Sequence, residues 1–167
     1  MLVGGLLLFA SPAEAQRSGF IIGIGIGPGV AQTTPGSKVG AALDFHIGGV
    51  IGDVELYLAG KGVGHSSDEA RVDTEATVIV GPGVTFPVTP DLGLTAMFGA
   101  TSVGKNSSGP GGSVQQQEDG GLGLGAGAIY KLSDSGRWMA AFNVLRGKLA
   151  NDDTFWGFTV TINVMSH

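Results

Sequence analysis

The stretch GFIIGIGIGPG, residues 19–29, alternates large apolar side chains with glycine. Successive side chains of a β-strand point to opposite faces, so this stretch predicts a strand with one bulky apolar face and one face that is almost bare. The stretch FTVTINV, residues 158–164, repeats the alternation with threonine and asparagine in place of glycine. Both ends of the chain therefore predict strands whose second face is small.

The same period of two recurs between these ends. It marks eight segments bounded by glycine, proline and short polar residues, which is typical of an antiparallel all-β protein. The predicted strands are residues 18–31, 37–48, 54–64, 75–87, 92–103, 121–132, 137–147 and 154–166.

The composition distinguishes a lipid-facing sheet from a water-facing one. The chain has 31 Gly in 167 residues and only 14% charged residues. A soluble antiparallel barrel or sandwich, the alternative fold, needs polar strand faces that meet water, and these strands offer few charges. No segment after the first fifteen residues has the roughly 18 consecutive apolar residues of a membrane helix. Strands closed into a barrel are the other structure that can cross lipid with its backbone hydrogen-bonded.

The connections between the segments alternate in length. Short turns are predicted at 48–53, 88–91 and 133–136, whereas 65–74 and 105–120 are long and polar, and the second of these looks mobile. Short turns on one side and longer loops on the other are typical of outer-membrane barrels. We therefore predict an eight-stranded antiparallel up-and-down transmembrane β-barrel, whose small inner face suits the narrow interior of eight strands.

The first fifteen residues, MLVGGLLLFASPAEA, read as a secretion signal with an Ala-Glu-Ala cleavage site. We expect residues 1–15 to be the signal peptide and residues 16–167 to form one barrel domain. The absence of cysteine is compatible with the bacterial envelope. A net charge of −5 without a basic run argues against nucleic acid. The expected location is the bacterial outer membrane, with lipopolysaccharide and phospholipid as partners, and we expect a monomer.

Aromatic residues give a second indication. Outer-membrane barrels carry girdles of aromatic side chains at both membrane interfaces. With the termini in the periplasm, we expect one girdle near the periplasmic end and Phe155 with Trp156 at the other end. The predicted periplasmic girdle consists of Phe20, Phe45, Phe86, Tyr130 and Trp138.

The segments GFIIGIGIGPG and GFTVTINV, the strand number and the loop asymmetry resemble the small eight-stranded outer-membrane barrels, the OmpA, OmpX and opacity-protein group. The resemblance covers residues 18–167 and implies a fold rather than an activity. Members of this group usually end in an aromatic residue, whereas this chain ends Val-Met-Ser-His.

Charged residues inside the predicted strands supply the candidate site. A turn centred near Val50 and Ile51 would pair His46 with Glu55 and Asp44 with Tyr57, and Lys61 would follow one step further. Charges inside a narrow barrel must be paired. We therefore predict a lumenal polar network, which either plugs the barrel or acts as a gate or proton-sensitive element. Its members are Asp44, His46, Glu55, Tyr57 and Lys61.

Three functions are compatible with this sequence. The first is a non-enzymatic envelope or surface-interaction protein with a largely plugged lumen. The second is a narrow porin-like channel, which the Gly-rich inner faces leave open. The third is a lipid A-modifying enzyme, because His65 and Ser67 resemble the His-x-Ser pair of the lipid A deacylases. In that family the pair lies on a late membrane strand, whereas here it lies in a polar loop after the third segment. The Gly-rich run at 123–127 lacks the following helix of a dinucleotide site. The sequence has no residues at metal-ligand spacing, so we expect no metal. We also expect no catalytic residues and no cofactor.

Overall fold

The computed structural model describes residues 18–33, 36–66, 72–108 and 115–166. Within these ranges the regular structure is β-strand, and there is no helix long and apolar enough to cross a membrane. The strands are β1 (Ser18–Thr33), β2 (Gly36–Ile51), β3 (Val54–Ser66), β4 (Val72–Pro87), β5 (Leu92–Ser108), β6 (Gln115–Lys131), β7 (Trp138–Leu149) and β8 (Thr154–Ser166).

The eight strands form one closed barrel in sequence order. Each strand pairs antiparallel with its neighbours, and β1 closes the barrel by pairing with β8, for example through Ile24 and Val164. Closure leaves no unpaired sheet edge, which is the condition for a sheet in lipid. The predicted fold, an eight-stranded antiparallel up-and-down barrel, is confirmed.

The alternation seen in the sequence becomes the difference between the inside and the outside of the barrel. Ile24 and Ile26 are each 65% exposed, whereas Ile21, on the opposite face of the same strand, is fully buried. Threonine, asparagine and glycine occupy most of the inward positions of β8 and β1. An apolar outer surface around a small-residue interior is the reverse of a soluble barrel.

The strands extend further than predicted at one end. We call the end at which β1 begins, β8 ends and the short turns lie the turn end, and the opposite end the loop end. Residues 105–120 were expected to form a long mobile loop, but β5 continues to Ser108 and β6 begins at Gln115. The ladder from Gly104–Glu118 to Ser107–Gln115 pairs them. Cross-strand pairing here outweighs the weak strand preference of glycine, serine and asparagine.

The turn between β2 and β3 is two residues long and contains Gly52 and Asp53. Gly52 has φ +64°, a conformation that favours glycine, and such two-residue connections are typical of β-hairpins. This turn lies further along the chain than the predicted centre at Val50 and Ile51. The predicted signal peptide, residues 1–15, falls outside the described residues and stays a prediction.

Candidate functional site

The position of the Gly52–Asp53 turn sets the register of the candidate site. The predicted pairs His46–Glu55 and Asp44–Tyr57 are wrong, because His46 faces Ala59 and Asp44 faces Lys61. The error is four residues, and an even shift leaves every side chain on its predicted face of the sheet. The predicted residues therefore point inward, but with different partners.

Asp44 and Lys61 form an ion pair in the middle of the barrel. The Nζ of Lys61 donates hydrogen bonds to Oδ2 of Asp44 at 2.7 Å and to Oδ1 of Asn143 at 2.9 Å. Asn143 lies on β7, so the second of these bonds crosses the lumen. The Nδ2 of Asn143 donates to Oγ1 of Thr159 at 3.2 Å. Asp44 and Lys61 are 2% and 5% exposed, so the ion pair is held away from water.

His46 lies next to this ion pair. Its Nδ1 is 3.7 Å from Oδ1 of Asp44, too far for a hydrogen bond, and its Nε2 is 2.7 Å from Sδ of Met165. The ring of Tyr57 is tilted against the imidazole, with 5.3 Å between the ring centroids. The hydroxyl of Tyr57 donates to the carbonyl oxygen of Val84 at 3.2 Å. We call Asp44, His46, Tyr57, Lys61 and Asn143 the lumenal cluster.

Glu55 does not join the lumenal cluster. It lines an open vestibule of about 920 Å³ at the turn end, together with Asp53, Asp91 and Lys131. The register shift accounts for this position, because Glu55 faces Val50 rather than His46. Four of the five predicted network residues therefore meet. Asn143 was missed because its partner Lys61 is 82 residues away along the chain.

Two acceptors in this region are buried without a hydrogen-bond partner among the described residues, Oδ1 of Asp44 and Oδ1 of Asn163. They belong to one cross-strand row, because Gly25 pairs with Asp44 on one side and with Asn163 on the other. A buried acceptor that lacks its hydrogen bond is destabilising. The two unpaired acceptors therefore make this row energetically costly.

A second charged cluster lies at the loop end and was not predicted. Glu75 accepts hydrogen bonds from Nζ of Lys38 at 2.7 Å and from Oγ1 of Thr33 at 3.2 Å, and Nζ of Lys105 is 4.0 Å away. We call these four residues the rim cluster. Glu75 was taken as the first residue of its strand, whereas β4 begins at Val72. By the inside–outside alternation of its strand, Glu75 points inward, and this feature of the sequence could have indicated the cluster.

Larger side chains cover several of the glycines on the inner face. At these positions a side chain from another part of the wall lies over the glycine. A Cβ added at such a glycine would collide with that side chain. Gly23 is covered by His46 and Met165, Gly25 by Asn163, Gly83 by Tyr57, Gly123 by Ile79, Gly125 by Met97 and Gly147 by Phe155.

The aromatic residues predicted for the girdles point outward, with one exception. Phe155, expected in the outer girdle beside Trp156, is fully buried inside the barrel. It occupies an inward position of β8, where it lies over Gly147. The remaining side chains are 38–62% exposed. They are Phe20, Phe45, Phe86, Tyr130, Trp138 and Trp156.

The structure describes only His65 of the His-x-Ser pair considered for an enzyme. His65 lies at the loop end, where its Nδ1 is 2.7 Å from the carbonyl oxygen of Val39. Ser67, its predicted partner, falls outside the described residues. Within the described ranges, no three His, Asp or Glu side chains are grouped so that they could hold a metal ion.

Comparison with known structures places this geometry among small outer-membrane barrels. Ail, the attachment invasion locus protein of Yersinia pestis, has a TM-score of 0.68 at 15% identity, covering 88% of this chain and 99% of Ail. Neisserial surface protein A has a TM-score of 0.60 at 14% identity, covering 89% and 99%. The N-terminal β-barrel domain of Pseudomonas aeruginosa OprF has a TM-score of 0.52 at 14% identity, covering 86% and 97%.

A comparison with proteins of curated function finds no match. The sequence does match a family model, the one described as outer membrane protein beta-barrel domain. The match covers residues 1–165, which is nearly the whole chain. The apolar outer face, the closed eight-stranded sheet and this match agree. The chain belongs to the outer membrane protein beta-barrel domain family and is a barrel of the bacterial outer membrane.

Proposed function

We propose that this chain is a non-enzymatic outer-membrane barrel whose lumen is closed to solutes and whose loop end, facing outward, serves surface interaction or envelope integrity. The observation that carries the proposal is the set of large side chains that are wholly buried inside the barrel. An eight-stranded barrel has room only for packed side chains. The largest wholly buried side chains are Phe155, Ile21, Ile79, Leu145 and Met165.

The charged residues support the same proposal. Lys61 joins Asp44 on one wall to Asn143 on the opposite wall, so the bonds of one ammonium group cross the lumen. A buried ion pair that satisfies most of its hydrogen bonds is costly to break. An ion moving through the barrel would have to displace it.

The loop end supports an outward-facing role. A strand needs about 9–11 residues to cross the membrane at a 45° tilt. β5 and β6 have 17 residues each, whereas β7 has 12. The β5–β6 hairpin therefore extends roughly 15 Å further than a strand that only crosses the bilayer. Such an extension would carry the loop ends of β5 and β6, at Ser108 and Gln115, well above the lipid.

Planar-bilayer conductance tests the closed lumen. We expect the folded wild-type barrel to give no current steps above the lipid baseline. A matched pair of variants adds a control, because Phe155→Ala removes an inward ring and Phe158→Ala removes an outward one. We expect leakage from Phe155→Ala and none from Phe158→Ala. Reproducible current steps from the folded wild type would contradict the closed lumen.

The second candidate is a narrow channel, favoured by the vestibule of about 920 Å³ at the turn end and by the unsatisfied Oδ1 of Asp44. In that case the wild type would conduct, and Lys61→Gln would change the preference for cations over anions. The closed-lumen proposal expects no conductance from either protein. Electrophoresis of unboiled and boiled samples should show that each variant is folded before its conductance is compared.

A further inference from the structure

The outer wall of the barrel is almost free of charge. Inside–outside alternation assigns the described strand residues to the two faces. Among the outward-facing strand residues whose side chains the structure describes, only Arg146 and Lys148 are charged. Both lie on β7, two residues apart, at its loop end. Two cations side by side on a wall whose other described residues are uncharged call for a specific explanation, because a charge on the lipid face is destabilising unless it lies near the membrane interface.

The surroundings of these cations combine apolar and aromatic groups. Arg146 pairs across the ladder with Trp156, and its guanidinium carbon is 4.9 Å from the centre of the indole ring, a cation–π contact. On the other side, Leu124 pairs with Arg146 and Leu122 with Lys148. These leucines are 58% and 62% exposed. The wall therefore offers positive charge next to surface suited to hydrocarbon chains.

Arg146 and Lys148 lie at the level along the barrel axis where lipid headgroups are expected. Along the outward face of β7, Val144 and the residues before it are uncharged, and the charges begin at Arg146. Trp156 belongs to the predicted aromatic girdle on this side of the membrane. Basic side chains at this level extend their charged ends toward lipid headgroups.

Lys148 already has one carboxylate neighbour. Its Nζ lies 2.9 Å from Oδ1 of Asp152, with the two side chains 67% and 86% exposed. An ion pair this exposed contributes little and is screened by salt. A phosphate can therefore replace Asp152 as the partner of Lys148, and Asp152 acts as a weak competitor.

We propose that Arg146, Lys148 and Trp156, with Leu122 and Leu124, bind one phosphate and the adjoining acyl chains of lipid A in the outer leaflet. Arginine holds phosphate through paired N–H donors, and here the indole ring keeps its guanidinium in place. Lys148 supplies the second charge, and the leucines contact the acyl chains. This proposal rests on the outward-facing loop end proposed above but not on whether the lumen conducts, which planar-bilayer currents test separately.

Tryptophan fluorescence can report the binding directly. The chain has two tryptophans, so Trp138→Phe leaves Trp156 as the single probe. This variant is reconstituted in phosphatidylcholine nanodiscs with increasing fractions of bis-phosphorylated lipid A. We expect a saturable change in Trp156 emission. Arg146→Gln with Lys148→Gln should weaken the apparent affinity about 30-fold, because each cation near the lipid surface contributes about a factor of five.

Two matched controls accompany this double variant. Arg137→Gln removes an exposed charge at the turn end and should leave the affinity unchanged. Asp152→Asn removes the competing carboxylate and should raise the affinity. Melting of the SDS-resistant folded form, with and without lipid A, repeats the comparison in the chain that keeps both tryptophans.

Three outcomes would overturn the proposal. One is an equal emission change with dephosphorylated lipid A. Another is an equal change with phosphatidylglycerol at matched negative charge, which would indicate a general preference for anionic lipid. The third is an unaltered titration in the Arg146 and Lys148 double variant. A saturable response confined to phosphorylated lipid A and lost in that variant supports the lipid A site.

Discussion

Among the described residues, two lysine–carboxylate pairs have the same length but different surroundings. Lys61 and Asp44 in the lumenal cluster are 2.7 Å apart, and so are Lys38 and Glu75 in the rim cluster. The side chains of the lumenal pair are 7% and 2% exposed. Those of the rim pair are 40% and 9% exposed. The two pairs differ in their access to water rather than in geometry.

This difference shows why distance alone does not give the strength of an ion pair. Removing one partner of a buried pair leaves an uncompensated charge in a medium of low polarity. At a surface, water and salt replace the lost partner. The lumenal pair should therefore respond strongly to substitution and the rim pair weakly. Substitutions in the two clusters can test this ordering.

The largest effect is expected for Lys61→Met. It removes the charge and two hydrogen bonds but keeps most of the side-chain volume, so Asp44 is left buried and unpaired. We expect a loss of about 3–5 kcal/mol in the free energy of unfolding. Urea unfolding of the barrel in lipid vesicles, followed by tryptophan fluorescence, measures it.

The control for Lys61→Met is the double variant with Asp44→Asn. Removing both charges should recover much of the lost stability, because the buried carboxylate no longer lacks a partner. If the single variant is no less stable than the double variant, the Asp44–Lys61 contact is not the energetic centre of the lumen, and the contrast between the two clusters fails.

A smaller effect is expected for Glu75→Gln in the rim cluster. The substitution frees Lys38 and Lys105, both of which reach water, so the expected loss is below about 1 kcal/mol. High salt should shrink the difference between this variant and the wild type, whereas the effect of Lys61→Met should change little. Urea unfolding at 0.05 M and 0.5 M salt compares them. A loss as large as that of Lys61→Met would contradict the ordering.

The smallest effect is expected for Lys105→Gln. Its Nζ is 4.0 Å from Oε2 of Glu75, and its side chain is 42% exposed. The free energy of unfolding should change by less than about 0.5 kcal/mol. Lys38→Gln is the matched comparison, because it removes the 2.7 Å contact to the same carboxylate. A larger loss from Lys105→Gln than from Lys38→Gln would reverse the order of the two contacts.

The sequence was a good guide to which face most residues occupy, with Phe155 as an exception. Asp44, His46, Tyr57 and Lys61 were predicted to point inward, and they do. It was a poor guide to register, because facing depends only on odd or even spacing, whereas register depends on where a turn closes. Gly52 at φ +64° sets that turn. The rim cluster was missed because Glu75 meets Lys38 and Thr33 from strands that are distant along the chain.

The all-β barrel, its lipid-facing surface and its small inner face could be predicted from the residues alone, because they follow from a local period of two and from the scarcity of charge. Which side chains meet inside the barrel depended on the tertiary structure. Phe155 lies over Gly147, and Lys61 reaches Asn143, since barrel closure brings distant strands within contact distance. Local periodicity carries no information about such contacts, which depend on register and closure.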